Sequence, residues 1–377
     1  MGECHLQVYD EKLCTFFALG RNAMYAACKS LGLREGDEVL TPAFNCDGSL
    51  QPFRVLGYKL VFYRSDAHTF LADIDDIKKK INGKTRLLHI VNHFGIPQAW
   101  EELLVLRQKM GVPILEDNAY SLFSKFKDIP FGTFGDMAIF SLRKNLPMID
   151  GGMLRINNPD YQFKAQDANA PWCYPSEYPA LLRCFVKRTG IGGLLRRVAK
   201  EFLDVYKTPP PLYSDPEKGY PDWPARDFIG DEFSCDYLRP MSGLAARQLA
   251  GFTSEDFAEI SGKKRLYYKF LSDKLANIRG IKVLWPELPE SAVPFSLSLL
   301  VDANRDGVLA ALQKKYDVMA WPTLSKSVLE KLREFPELGI LGRKGLQLNL
   351  PSDRVRRPDF TRYLENLVKE MECNIAG

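Results

Sequence analysis

The chain has 377 residues, enough for one large domain and a smaller one. Hydrophobic residues make up 46% and charged residues 26%, an ordinary balance, and a formal net charge of +4 is too weak a field to suggest nucleic acid. Eight cysteines with no C-x-x-C pair and four scattered histidines argue against a metal site, and for reduced thiols in a cytoplasmic protein.

The N-terminus, MGECHLQVYDEKLC, lacks a basic segment followed by an apolar one, so no signal peptide is expected there. No apolar run is long enough to span a bilayer. Residues 1–15 have no clear period and are expected to form an arm. After Gly20, the stretch Arg21–Leu31 sets Ala23, Ala27 and Leu31 on one helical face. A glycine turn entering a helix exposes backbone N–H groups that suit a phosphate, although a plain helix start fits the same residues. Glu38–Leu40 reads as a strand leading to a Thr41-Pro42 loop. Ser49–Leu56 reads as a helix stopped by Gly57, and Lys59–Tyr63 as a strand. Asp73–Ile81 is a helix with acids first and lysines last, as the helix dipole prefers. Thr85–Val91 is a strand running into Asn92-His93-Phe94-Gly95, and Ala99–Met110 is a helix ending at Gly111. Strands alternating with helices predict a parallel sheet covered on both faces.

The stretch Val112–Gly152 carries the chemistry. The apolar run Val112–Leu115 ends in Glu116 and Asp117; a second run, Met137–Phe140, leads into Ser141 and Lys144. In open α/β sheets ligands bind at strand carboxyl ends. Alternation along a strand puts one of the two acids on each face. On residue grounds alone the acids fit helix caps as well.

Residues 158–236 break the alternation, being rich in proline and aromatics. Within them Leu181–Tyr206 is basic and amphipathic. It fits a substrate lid, a subunit contact or a helix on a membrane surface, with Gly190, Gly192 and Gly193 interrupting it. The same glycines lack the third one of a dinucleotide fingerprint, where Leu195 stands. Arg239–Ile278 reads as a long helix pair. Strands at Ile281–Leu284, Phe295–Val301 and Leu346–Leu350, with helices at Asp306–Lys315 and Arg357–Met371, suggest a small α+β domain.

Glu116-Asp117-Asn118-Ala119, then Gly132-Thr133-Phe134-Gly135-Asp136, Phe140-Ser141, Lys144 and Gly151-Gly152 together resemble the DegT/DnrJ/EryC1/StrS family of pyridoxal-phosphate (PLP) enzymes, the sugar aminotransferases. A weaker likeness runs from about Gly20 to Asn366. The resemblance implies a fold-type I PLP transferase of the α/β class. Its large domain, with a mostly parallel central sheet, spans residues 16–240 and includes 158–236 as an atypical insertion. A linking helix and smaller C-terminal domain span 241–377.

The resemblance also implies roles. Lys144 bonds to the cofactor aldehyde and later carries a proton; partial burial and a neighbouring cation, with Arg143 adjacent, would bring its pKa toward neutrality. Asp117 keeps the pyridine nitrogen protonated. Gly20, Arg21 and Asn22, with Ser141 opposite, form a phosphate cup. Ala119 lies under the ring, and Tyr120 stands near the ring hydroxyl, where relatives usually have glutamine. The family's ring-stacking aromatic aligns with Cys46, so Phe44, two residues earlier, is the candidate. His93 is a candidate substrate contact. Relatives form homodimers, and Arg239 is the candidate to reach the neighbouring subunit's cofactor. The Ser141–Lys144 spacing is shorter than in many members, whereas that from Lys144 to Gly151-Gly152 matches.

The implied activity moves an amino group from an amino acid, with glutamate as the expected donor, to a nucleotide-linked keto sugar. A dehydratase branch has histidine in place of the lysine, so Lys144 favours transamination. Two other readings stand beside it. One is another PLP reaction on the same fold, such as a dehydratase, desulfurase or decarboxylase. The other is a non-catalytic binding or regulatory relative.

Overall fold

The computed structural model describes residues 11–164, 170–174, 237–302, 304–320, 328, 333–351 and 360–376. Most of the 158–236 segment, Leu181–Tyr206 included, lies outside them, as do residues 1–10 of the expected arm.

The first half of the chain alternates as its periodicity suggests. Strand β1 is Cys14–Phe17, helix α1 Gly20–Ser30, β2 Glu38–Pro42, α2 Asp47–Val55, β3 Lys59–Tyr63, α3 Ile74–Lys80, β4 Thr85–Val91 and α4 Trp100–Met110. Then come β5 Ile114–Asn118, a hairpin of β6 Lys125–Phe126 and β7 Ile129–Pro130, β8 Met137–Ser141, α5 Leu142–Asn145 and β9 Gly152–Ile156. The end of the expected arm is thus a strand, and β5 extends through both acids. Helix ends follow local chemistry. Asp73 caps α3 by accepting from the Asp76 amide at 2.9 Å. Gly111 ends α4 in the left-handed conformation, with φ +63°.

Seven strands form one sheet in the order β1-β9-β8-β5-β4-β2-β3. From β8 to β3 every neighbouring pair is parallel. β9 runs antiparallel to both β8 and β1. The reason is the connection: residues 142–151 hold only the short α5, too little for the crossover that a parallel strand needs. Both sheet faces are covered, and β5 and β8 are buried along their whole length. On one face Ala23, Ala26 and Ala27 of α1 pack with Leu115, Met137 and Ile139. On the other, Leu103 and Leu106 of α4 pack with Leu88, Ile90 and Ile114.

Two helices, α6 Gly243–Ala250 and α7 Ser254–Leu275, lead to β10 Ile281–Val283, β11 Ser296–Val301, α8 Arg305–Leu312, β12 Val318–Met319, α9 Pro336–Lys344, β13 Gly345–Asn349 and α10 Phe360–Ala376. The four strands form an antiparallel sheet in the order β10-β11-β13-β12, packed against α7, α8 and α10. The two sheets meet at residues 291–295. There Phe295 N donates to the Phe94 carbonyl at 2.8 Å and Lys125 N to that of Ser291 at 3.0 Å. The Ser124 hydroxyl donates to the Gly95 carbonyl at 2.8 Å and accepts from Val293 N at 2.9 Å. Gly95 is obligatory at this contact: its φ is +91°, and a Cβ would fall 2.2 Å from the Val293 oxygen. Among the described residues, no helix is long and apolar enough to cross a membrane.

Candidate active site

β5 and β8 are hydrogen-bonded neighbours, with Asp117 opposite Ile139. Both end at the same edge, so Asp117 and the turn carrying Lys144 come together. The strand's alternation separates the two acids as anticipated. Glu116 turns away and accepts from the amides of Gly132 at 2.7 Å, Phe134 at 3.2 Å and Gly135 at 3.4 Å, and from Asn92 Nδ2 at 3.1 Å. It fixes the Gly132–Asp136 turn. Burial pushes its carboxyl up to about 7, with those donors pulling the other way.

Asp117 faces a cavity. Its carboxylate accepts from the Ser49 hydroxyl at 3.0 Å and the Ala119 amide at 2.9 Å, and lies 3.4 Å from His89 Nε2. His89 is wholly buried on β4, and its Nδ1 is 2.9 Å from the Thr41 hydroxyl. When that hydroxyl donates, the ring's proton sits on Nε2, facing the carboxylate. Burial alone would raise Asp117's pKa. The interaction with His89, the Ala119 amide and the charge of Lys144 outweigh it and hold Asp117 below the usual carboxylate value.

Lys144 lies in α5, half-buried, with Nζ 3.9 Å from the centroid of the Tyr120 ring. Its pKa runs against the expectation from burial and a neighbouring cation. Burial does oppose the charge, but Tyr120, Cys46 and Asp117 together hold the amine above the ordinary lysine value. Arg143 is exposed and does not reverse the balance.

The cavity measures about 170 Å³; an engineered cavity of about 150 Å³ takes a benzene ring. Gly20, Arg21, Asp117, Ala119, Tyr120, Ser141 and Lys144 line it together. At one wall α1 begins without a side-chain cap, and the amide of Gly20 at its start suits an anion. Close packing brings this helix end to the sheet. A Cβ on Gly20 would meet the Ser141 Cβ at 3.3 Å, and one on Gly152 would fall 2.2 Å from the Leu19 carbonyl.

Four of the sequence-derived candidates stand elsewhere. Phe44 does not face the cavity; it is fully buried and stacked on Phe70 at 5.0 Å, because the loop turns it into the core. Cys46, which precedes the first turn of α2, lines the wall instead. His93 is buried in the same aromatic cluster, 4.8 Å from Phe44, and desolvation lowers its pKa to about 3. Asn22 spends its amide on the Leu19 carbonyl, and its side chain donates to the Tyr237 carbonyl at 3.0 Å. Arg239 lies outside this cavity, with its guanidinium 3.8 Å from the Tyr174 ring centroid.

Sequence reasoning missed His89, Thr41 and Ser49. The available signal was one histidine inside the apolar run from Leu87 to Val91, two residues before the position that pairs with Asp117.

Residues 7–170 match the model of the DegT/DnrJ/EryC1/StrS aminotransferase family. A 141-residue stretch is 33% identical to GDP-perosamine synthase of Escherichia coli O157:H7, covering 37% of this chain and 39% of that protein. The chain thus matches only about two fifths of that relative's length. Among solved structures, the aminotransferase TlmJ from Streptoalloteichus hindustanus superposes with a TM-score of 0.65 at 18% identity, over 99% of this chain and 88% of that one. E. coli GDP-4-keto-6-deoxy-D-mannose-3-dehydratase with bound hydrated PLP gives 0.63 at 17% identity, over 98% and 92%. At such identities the likeness shows the fold, which is that of fold-type I PLP enzymes. The span that matches this family model, residues 7–170, holds every lining residue of the cavity.

Proposed function

We propose that this chain is a PLP-dependent aminotransferase that passes the amino group of an amino acid, glutamate being the expected donor, to a nucleotide-linked keto sugar. One observation carries the reading: an ionised carboxylate, Asp117, and an amine, Lys144, from neighbouring strand ends share one ring-sized cavity. The residues present suit the cofactor. Ala119 is small enough to lie beneath a flat ring. The α1 terminus with Arg21 and Ser141 offers amides, a cation and a hydroxyl to a phosphate, and Arg143 lines the same cavity.

When bound, PLP supplies an aldehyde for an amine and a protonated ring that withdraws electrons from the adjoining carbon. Asp117, oriented by Ser49, His89 and the Ala119 amide, holds a proton on the ring nitrogen. Lys144 must lose its own proton to act as nucleophile and base. A positive charge held by Asp117 would offset the pull of its carboxylate on that proton and so would free the amine, while the Tyr120 ring would keep the Lys144 side chain in place.

The nucleotide sugar as acceptor draws on the GDP-perosamine synthase relative. A homodimer in which Arg239 serves the neighbouring site, and a cytoplasmic location, belong to the same proposal. Glutamate added to the PLP-loaded protein should replace its visible band with the near-ultraviolet absorbance of pyridoxamine phosphate. A screen of nucleotide keto sugars should then restore the original band. An unchanged spectrum with every amino acid would favour a non-catalytic relative. Loss of a sugar hydroxyl without amination would favour a dehydratase.

A further inference from the structure

Helix α7 runs from the large-domain core to the second sheet, and its buried face is apolar except at Lys264, Ser272 and the hydroxyl of Tyr268. Ile260 packs with Leu122, Leu142 and Leu146. Tyr268, Leu271 and Leu275 pack with the second sheet. Between Ile260 and Tyr268, one turn from each, stands Lys264, only 1% exposed. Its Nζ lies 5.2 Å from the Phe295 ring centroid, and among the described residues it makes no hydrogen bond or ion pair.

The polar groups around it are matched. Arg265 donates to the Ala292 carbonyl and, at 3.2 Å, to that of Pro289. The Tyr268 hydroxyl donates to the Trp285 carbonyl at 2.6 Å, and Ser272 to that of Pro286 at 3.0 Å. Lys264 alone in this layer has been desolvated with only a ring face in return, which offsets a small part of the penalty. Burial pushes its pKa down to about 8. A methionine would fill the position at no such penalty, so packing does not account for a lysine here.

Its location gives the reason. Phe295 is half-buried, and its ring packs 4.7 Å from Tyr120, the residue that carries Lys144 Nζ on its ring. Lys264 therefore stands one aromatic ring behind the cavity wall, where the two sheets join.

We propose that Lys264 is the anchor for an anionic group of the substrate, a carboxylate or a phosphate, lying over Tyr120. Binding turns the Phe295 ring aside, and the anion takes the face of the ammonium that this ring now covers. The inference rests on the aminotransferase reading, whose donor carries carboxylates and whose acceptor carries a diphosphate.

The test uses the PLP-loaded protein, with glutarate and guanosine diphosphate as separate probes and thermal melting and titration as readouts. In the wild type one probe raises the melting temperature; glutarate doing so assigns the donor carboxylate, the diphosphate assigns the acceptor. Lys264→Met should keep the cofactor band, melt no lower than the wild type, and bind that probe about tenfold more weakly or worse. Lys264→Arg should recover part of the loss, as a packing role would not. Should the Met variant fail to fold, Lys264→Gln replaces it. Equal affinity in wild type and charge-free variant, or no response of the wild type to either probe, overturns the proposal. Absence of a cofactor band in the wild type would instead overturn the functional reading beneath it.

Discussion

Asp117 and Lys144 lie on opposite sides of a β-ladder junction, and each shifts the other's proton affinity. The carboxylate helps raise the amine, and the amine helps lower the carboxyl. Asp117→Asn removes one half of this coupling while leaving a side chain that still fits Ser49 and the Ala119 amide. The amine should then titrate at lower pH than in the wild type. The glutamate half-reaction should slow by about 100-fold or more, since the ring nitrogen loses its counter-charge. Single-turnover absorbance measures both.

His89 supports Asp117 from behind. His89→Leu leaves the buried carboxylate with fewer groups favouring its charged form, so its pKa must rise. The ionised form carries activity, so the acid limb of the pH–rate profile should move to higher pH. A profile with an unmoved acid limb would mean that His89 only fills space.

Glu116 makes a stability prediction with a defined sign. Its folded pKa of about 7 lies above the ordinary glutamate value of 4.5. The folded state therefore holds the proton more tightly, and this stabilisation is full below about pH 4.5 and lost as pH rises through about 7. Glu116→Gln cannot titrate, so its stability should change less over that window than the wild type's. Turning an amide toward the Phe134 and Gly135 N–H groups should also lower stability by about 1–3 kcal/mol. Urea unfolding at several pH values measures both effects.

Gly152 lets the start of α1 approach the sheet. With a Cβ 2.2 Å from the Leu19 carbonyl, Gly152→Ala must push this helix end away. Stability should fall by about 3 kcal/mol or more, and PLP affinity should fall with it. Thermal melting and cofactor titration report the two losses.

Phe44 tests the placement of the cavity wall. Phe44→Leu should destabilise the chain by about 1–2 kcal/mol through lost core packing and leave the visible band of the loaded protein unmoved. A shifted band would mean that the phenyl ring touches the cofactor after all.

Much of the fold was legible because the elements between Glu38 and Asn118 are apolar runs punctuated by glycine or proline. β3 and β4 have the bounds read from sequence. The opposed acids followed from alternation alone. β9 was harder: Gly152-Met153-Leu154-Arg155-Ile156 begins with glycine and has no helix before it to announce a crossover. α9 hides because only Leu338 and Leu341 face inward and two glycines dilute its pattern. The choice between Phe44 and Cys46 could not be read locally, since the stack on Phe70 that decides it joins residues far apart in the chain. The charge state of Lys144 escaped for the same reason: Cys46 and the Asp117–Tyr120 stretch that act on it come from two other segments.

Borohydride reduction of the PLP-loaded protein, followed by peptide mass mapping, tests the central assignment most directly. A pyridoxyl label confined to Lys144, and absent from Lys144→Ala, is the predicted result. A label on another lysine, or undiminished labelling of the variant, would contradict it.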